Sequence, residues 1–285
     1  METSKLILKK TRWKFQISFK GSNYCGWQLQ NENEIQTSKH SIQYYIEKAL
    51  AKVSDRNGER IPVMGCGRTD SGVHARTFFF HADLPTEKLS RYANCPDKLT
   101  DYINSQTPSD IGIINCQEQP TFHALKNVKK KCYCYRIAFL RSKPIFLPFN
   151  YLVYNFDRQT TLKKFDFNKM EIALKEFLGT HDFSAFTSRG SNAVSSIRTI
   201  DTINFKISHL QYPIEYIDCK IDFEGKGFLK QMIRNIVGTS IEVARNKKSI
   251  KEVKSLLNPI TNNLTRKDAG LCAPAVGLTL ENIIY

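Results

Sequence analysis

Four apolar residues in strict alternation, Trp13, Phe15, Ile17 and Phe19, are separated by Lys14, Gln16 and Ser18 and flanked by Arg12 and Lys20. A repeat of two is the period of a strand; helical geometry would scatter the same four side chains around the axis. One face is therefore apolar and the other basic and wet, which suits an antiparallel sheet covered on one side. The pattern recurs in Ile203, Phe205 and Ile207 and in Ile217, Cys219, Ile221 and Phe223, two strands that can pair as a hairpin across residues 208–214. Shorter strand candidates are Ile61–Met64, Val73–His81 with its three phenylalanines, and Ile111–Cys116. Helical periodicity is confined to fewer stretches. Residues 38–53 carry the stripe Ile42, Tyr45, Ile46, Ala49, Leu50 and Val53, and residues 96–105 open at Pro96 and stop before Pro108. Residues 168–178 and 228–245 follow, the last with Leu229, Met232, Ile233, Ile236, Val237 and Ile241 on its buried side and Lys230, Arg234 and Gly238 aligned off it. The fold class is α+β, mainly antiparallel sheet with helices on one side.

Between two of those strands runs Gly65-Cys66-Gly67-Arg68-Thr69-Asp70-Ser71-Gly72-Val73-His74-Ala75. Its glycines permit tight turns and close approach of another backbone. A carboxylate, Asp70, and a guanidinium, Arg68, are thus held by scaffold on a loop. Asp-Ser-Gly is also ordinary turn chemistry, so the spacing alone leaves a structural turn open. Nucleotide cradles are excluded: Asp70 occupies the third glycine position of a dinucleotide fingerprint, and no Gly-Lys-Ser/Thr follows.

Charge narrows the class of partner. Lys and Arg total 42 against 27 Asp and Glu, a net charge of +15, which points to a polyanion and to nucleic acid first. No run approaches the roughly 18 apolar residues of a membrane span, and no apolar segment follows Lys9-Lys10-Thr11-Arg12 as in a secretory leader. The eight cysteines include no C-x-x-C pair, and Cys132 and Cys134 have no further ligand at zinc spacing. They read as reduced thiols of a cytoplasmic protein, with no metal site. The densest positive run is Lys126, Lys129, Lys130, Lys131 and Arg136. It leads into a strand whose alternation puts Lys131, Tyr133 and Tyr135 on one face. Cations for phosphate and rings for stacking are what an unstacked base needs, although a charge run can equally be a solvated face.

Gly67–Ala75 closely resembles the signature Gly-Arg-Thr-Asp-(small)-Gly-Val-His-Ala of the TruA family of tRNA pseudouridine synthases. Further matches cover most of the chain: Tyr24-Cys25-Gly26-Trp27-Gln28, Phe122-His123-Ala124, Lys131-Cys132-Tyr133-Cys134-Tyr135, Gly179–Phe186, Met232–Gly238 and Ala269–Leu280. Two positions depart: Leu125 stands where the family carries Arg, with Lys126 next to it, and Val276 replaces a usually polar residue. Trp27 reads as core and His181 as a structural hydrogen-bonding residue. The polar stretch 157–169 reads as a loop, and residues 187–196, with Arg189, as a surface loop.

The resemblance implies two α+β halves whose sheets join edge to edge, with a basic cleft between them; Glu118-Gln119-Pro120 is the candidate boundary, giving residues 1–117 and 118–285. It implies that Asp70 is the catalytic acid, Arg234 pairs with it, Arg68 holds the flipped nucleotide, Tyr133 lies against the uracil and Leu278 forms an apolar wall. Lys129, Lys130 and Lys131 would contact RNA backbone. The implied substrate is uridine at positions 38 to 40 of the tRNA anticodon stem-loop, with Asp70 acting as nucleophile or as base, without cofactor, in a homodimer. One rival is a non-catalytic structured-RNA-binding protein using the same charge and rings. A carboxylate in a cationic RNA cleft argues against it, because it repels phosphate. A hydrolase using Asp70 as general base lacks a visible second carboxylate.

Overall fold

The computed structural model describes residues 9–29, 40–54, 60–93, 95–140, 150–155, 165–188, 190, 194–210, 216–258 and 263–285. The chain divides into two compact units, Met1–Val128 together with Tyr285, and Lys129–Ile284.

In the first unit, β1 (Lys10–Phe19) lies between β4 (Ile111–Glu118) and β3 (His74–Pro85), antiparallel to both, and β2 (Val63–Gly65) pairs with β3. The alternation of β1 is realised: Trp13, Phe15, Ile17 and Phe19 are buried. Phe15 faces Phe80 across the ladder with rings stacked 4.6 Å apart. Each such side chain contributes roughly 1.5–3 kcal/mol by leaving water. The other face is less wet than its sequence suggests. The Lys14 ammonium stands 4.8, 4.8 and 5.2 Å from the ring centres of Phe79, Phe122 and Tyr285. Helix α1 (Ile42–Val53) is capped by Ser41, whose hydroxyl accepts from Tyr44 N, and it buries Ile42, Ile46, Ala49, Leu50 and Val53. Tyr45, expected on that stripe, is half-buried in a ring cluster with Tyr24, His40 and Tyr44. A helix α2 (Thr86–Ala93), not expected from the sequence, precedes α3 (Pro96–Gln106). Asn104 pins α3 to β4 by donating to Ile113 O and accepting from Ile113 N.

The division at Val128/Lys129 falls later than the expected 117/118. The reason is that residues 119–128 stay with the first unit. Gln119 N bonds Arg12 O at 2.9 Å, Ala124 N bonds His81 Nδ1 at 3.1 Å, and the Tyr285 hydroxyl bonds Ala124 O at 2.9 Å.

The second unit is built around β5 (Lys130–Leu140). On one side it pairs with β10 (Tyr216–Gly225), which continues to β9 (Thr202–Leu210). On the other it pairs with β11 (Leu278–Ile284) along its first half and with β6 (Leu152–Asn155), in parallel, along its last four residues. A separate two-stranded ribbon joins β7 (Gly179–Asp182) to β8 (Ile197–Ile200). Helices α4 (Phe167–Lys175), α5 (Met232–Ala244) and α6 (Ile250–Leu256) complete the unit, α6 behind a Ser249/Glu252 capping box. The α+β class with mainly antiparallel sheet is thus observed.

Two details of α5 differ from its periodicity. Gln231 sits at φ +60°, so the helix begins at Met232 and Lys230 lies outside it. Gly238, expected off the buried stripe, is buried, because the chain at Leu271 crosses directly over it. The 208–214 turn of the β9–β10 hairpin lies partly, and Arg189 wholly, outside the described residues, as does most of the 157–169 stretch.

Candidate active site

The Asp70 loop is clamped from behind by Gly21–Trp27. Trp27 N donates to Thr69 O at 3.4 Å, and Tyr24 O accepts from Gly72 N at 3.3 Å and from the Ser71 hydroxyl at 3.1 Å. Val73 N closes the turn on Asp70 O at 3.2 Å. Gly26 has φ +108°, and a Cβ there would overlap Thr69 O and stand 3.2 Å from the Asp70 carbonyl carbon. Only glycine satisfies both the left-handed backbone and the contact. Two motifs distant in sequence, Tyr24–Gln28 and Gly67–Ala75, are therefore one structure.

The clamp is itself anchored. The Tyr24 hydroxyl donates to the Asp110 carboxylate, which also accepts from Asn23 Nδ2 at 3.0 Å. Burial and that carboxylate push the Tyr24 phenol well above its usual range. Trp27 is core, its ring centre 4.2 Å from Phe78. On this frame Thr69 is buried, Asp70 half-buried and Arg68 exposed.

In the second unit Tyr133 lies opposite Phe223 on β10 and Leu280 on β11, while Leu278 lies opposite Tyr135. Facing partners share a sheet face, so Tyr133, Tyr135, Leu278 and Leu280 line one side. Tyr135 is fully buried and its hydroxyl donates to Pro274 O at 2.8 Å. Tyr133 keeps 9% of its surface, with the Phe228 ring edge-on at 5.3 Å.

Arg234 and Ala273 bond reciprocally: Arg234 Nε donates to Ala273 O at 2.7 Å and Ala273 N to Arg234 O at 3.1 Å. The Ala273-Pro274 step thus ties the Arg234 helix to the Tyr135 strand. Of the three lysines, Lys129 is exposed, Lys131 half-exposed, and Lys130 lies 3.1 Å from Glu224 and 3.8 Å from Asp201. Leu125 and Lys126 are exposed. His181 bonds Leu178 O through Nε2 at 2.8 Å.

Sequence reasoning missed Asp110, Gln43 and Glu47 as supports of the Asp70 loop. The last two are spaced i, i+4 beside the apolar stripe of α1, a spacing shared by many solvated pairs.

A family model described as tRNA pseudouridine synthase matches residues 173–285. The tRNA pseudouridine synthase A 2 of Clostridium perfringens is 36% identical over 274 residues, covering 95% of this chain and 98% of that protein. The chain belongs to the tRNA pseudouridine synthase A family. Tetani and acetobutylicum clostridia carry similar relatives: tRNA pseudouridine synthase A 2 of Clostridium tetani at 33% and tRNA pseudouridine synthase A of Clostridium acetobutylicum at 36%, each covering 95% of this chain and 98% of the relative. A chain from a Cbf5–Nop10–Gar1 complex superposes with a TM-score of 0.28 at 12% identity, covering 80% of this chain and 54% of that one, too loose a match to compare folds. Membership in this isomerase family spans both units, since the aligned relatives run from end to end. Among the described residues no helix is long and apolar enough to cross a membrane.

Proposed function

We propose that this chain converts uridine to pseudouridine at positions 38 to 40 of the tRNA anticodon stem-loop, with Asp70 performing the chemistry. The observation that carries the proposal is the clamped loop. Two chain segments, the left-handed Gly26 and four hydrogen bonds fix the loop of one acidic residue in a strongly basic protein.

The reaction breaks the N1–C1′ bond, turns the base, and forms C5–C1′. The C5 proton leaves and N1 gains one, so the change balances without oxidant or reductant. The target must first leave the stack, as in other enzymes that act on a base. Asp70 then acts as nucleophile, or as the base that removes a sugar proton to give a glycal. Arg234 serves as the cation that keeps Asp70 ionised, a role resting on the family resemblance. Arg68, exposed beside Asp70 in sequence, takes the backbone of the flipped nucleotide. Tyr133 stacks on the uracil and Leu278 walls it. Lys129 and Lys131 meet phosphate; Lys130 does so in competition with Glu224. The working form is a cytoplasmic homodimer, in keeping with one tRNA engaging two copies.

The deciding experiment is Asp70→Asn, which keeps shape but loses charge and nucleophilicity. Tritium release from C5-labelled uridine in tRNA is expected to fall by several orders of magnitude, with filter binding of tRNA near normal. Release at the wild-type rate makes Asp70 a turn residue. A wild type that binds tRNA and releases nothing is an RNA-binding protein.

A further inference from the structure

A buried polar pair stands behind the Asp70 loop. Gln43 and Glu47, one turn apart on α1, are each only 4% exposed. Gln43 N donates to Trp27 O at 3.1 Å, and its side-chain Oε1 accepts from Leu29 N at 3.0 Å. Its Nε2 donates to Glu47 Oε1 at 2.8 Å and to Val63 O at 3.4 Å. Glu47 Oε1 accepts from Val63 N at 3.1 Å and from Arg60 Nη2 at 3.2 Å, and its other oxygen accepts from Arg60 Nε. Ile42 N adds a bond to Gly26 O at 3.0 Å.

Such a network is a poor way to gain stability, since apolar side chains of similar volume in a core commonly do as well or better. Its bonds are directional, and apart from the Arg60 guanidinium their partners outside α1 lie, among the described residues, in two backbone segments. One is Gly26–Leu29, whose Gly26 and Trp27 touch Thr69 and Asp70. The other is Val63, at the start of the strand that leads into Gly65 and the loop. Gln43 and Glu47 thus fix both sides of the catalytic turn without touching substrate.

We infer that Gln43 and Glu47 are positioning residues that set the placement of the Asp70 carboxylate. The inference rests on the reading that Asp70 does the chemistry. A displacement near 1 Å of a reacting group costs up to about 100-fold in rate. Gln43→Ala and Glu47→Gln are therefore expected to lower the single-turnover rate of tritium release about 10- to 100-fold. The dissociation constant for tRNA should stay within about twofold. Asp101→Asn is the control. Asp101 is exposed on α3 and, among the described residues, takes no part in the bonds of Gln43 and Glu47, so its rate should match wild type.

Each variant is melted first and assayed well below its transition. Amide hydrogen exchange is followed at Gly72 and Val73, whose bonds to Tyr24 O and Asp70 O report on the turn itself. Faster exchange at these two amides together with a lower rate supports the inference, also in a variant too unstable for kinetics but folded in the cold. Variants that melt earlier yet turn over like wild type, or that leave Gly72 and Val73 protected, overturn it. If wild type is active and Asp70→Asn is dead while both α1 variants are normal, only this inference fails. If wild type releases no tritium, the proposed function fails and takes it along.

Discussion

Replacing Gly238 by Ala tests the packing of the Arg234 helix, because the two obvious effects have opposite sign. In a helix interior Ala is favoured over Gly by about 1 kcal/mol, so an unobstructed site would gain stability. Here the new Cβ would overlap Leu271 O, stand 2.8 Å from its carbonyl carbon and 3.2 Å from Ala273 N. Backbone, not a flexible tip, is in the way. The Leu271 side chain is 79% exposed and anchors nothing, so the crossing segment can lift only by straining its hydrogen bonds to α5. These are Gly270 N to Thr239 Oγ1 at 2.9 Å, Leu271 N to Glu242 Oε1 at 3.0 Å, and the Arg234–Ala273 pair. Losing two at about 1 kcal/mol each, with overpacking of about 1–3 kcal/mol, outweighs the helix gain. The net is a loss of roughly 2–4 kcal/mol, or about 3–7 °C in melting temperature for a chain of this size. Thermal unfolding by circular dichroism reads the shift, and tritium release should fall with it as Arg234 moves. A melting temperature equal to or above wild type would refute the argument.

The remaining expectations use other parts of the molecule. Burial, with Arg12 and His123 nearby, holds the His81 imidazole down to about 4, and its Nδ1 accepts from Ala124 N. The unfolded chain therefore takes up this proton first. The stability due to His81 is complete above its unfolded pKa near 6.5 and declines as pH falls from there toward 4. Urea unfolding at stepped pH should show that slope, and His81→Gln should flatten it. For tRNA binding, Lys129→Ala should reduce the slope of log affinity against log salt by about 1. Lys130→Ala should reduce it less, because Glu224 already holds that ammonium; equal effects would count against this. Tyr133→Phe should bind RNA like wild type and Tyr133→Leu should lose about 1–3 kcal/mol in filter binding. Equal binding by both would make Tyr133 a core residue.

Residues whose sequence neighbours carry the signal were readable. The alternation of Trp13 to Phe19 and of Ile217 to Phe223 gave true strands, because a two-residue period on a half-covered sheet has no helical counterpart. The Asp70 motif gave the family. What stayed hidden depends on contacts far along the chain. Gly238 looked like a solvent-side residue, and only Leu271 crossing over it makes it core. Lys14 looked wet until Phe79, Phe122 and Tyr285 gathered round it. The start of α5 moved because Gln231 adopts a left-handed backbone that no glycine announces. Gln43 and Glu47 were invisible for a related reason: their partners are backbone groups 14 to 20 residues away.

The central place of β5 has a consequence for synthesis on the ribosome. Both of its long edges are completed late, one by Tyr216–Gly225 and the first half of the other by Leu278–Ile284. At roughly 5–20 residues per second, about 140 residues and roughly 7–28 s separate the emergence of β5 from that of β11. Until Tyr216–Gly225 emerges within that interval, Tyr133, Tyr135, Ile137 and Phe139 form an apolar, β-prone run that Leu152–Asn155 pairs along Ile137–Leu140 alone, the kind of segment that pairs with neighbouring chains. Arg136 is the one charge between Cys132 and Leu140. In the folded protein it settles on Tyr151 and Asp218; before they are in place it is the one charge within this run to oppose pairing with another chain.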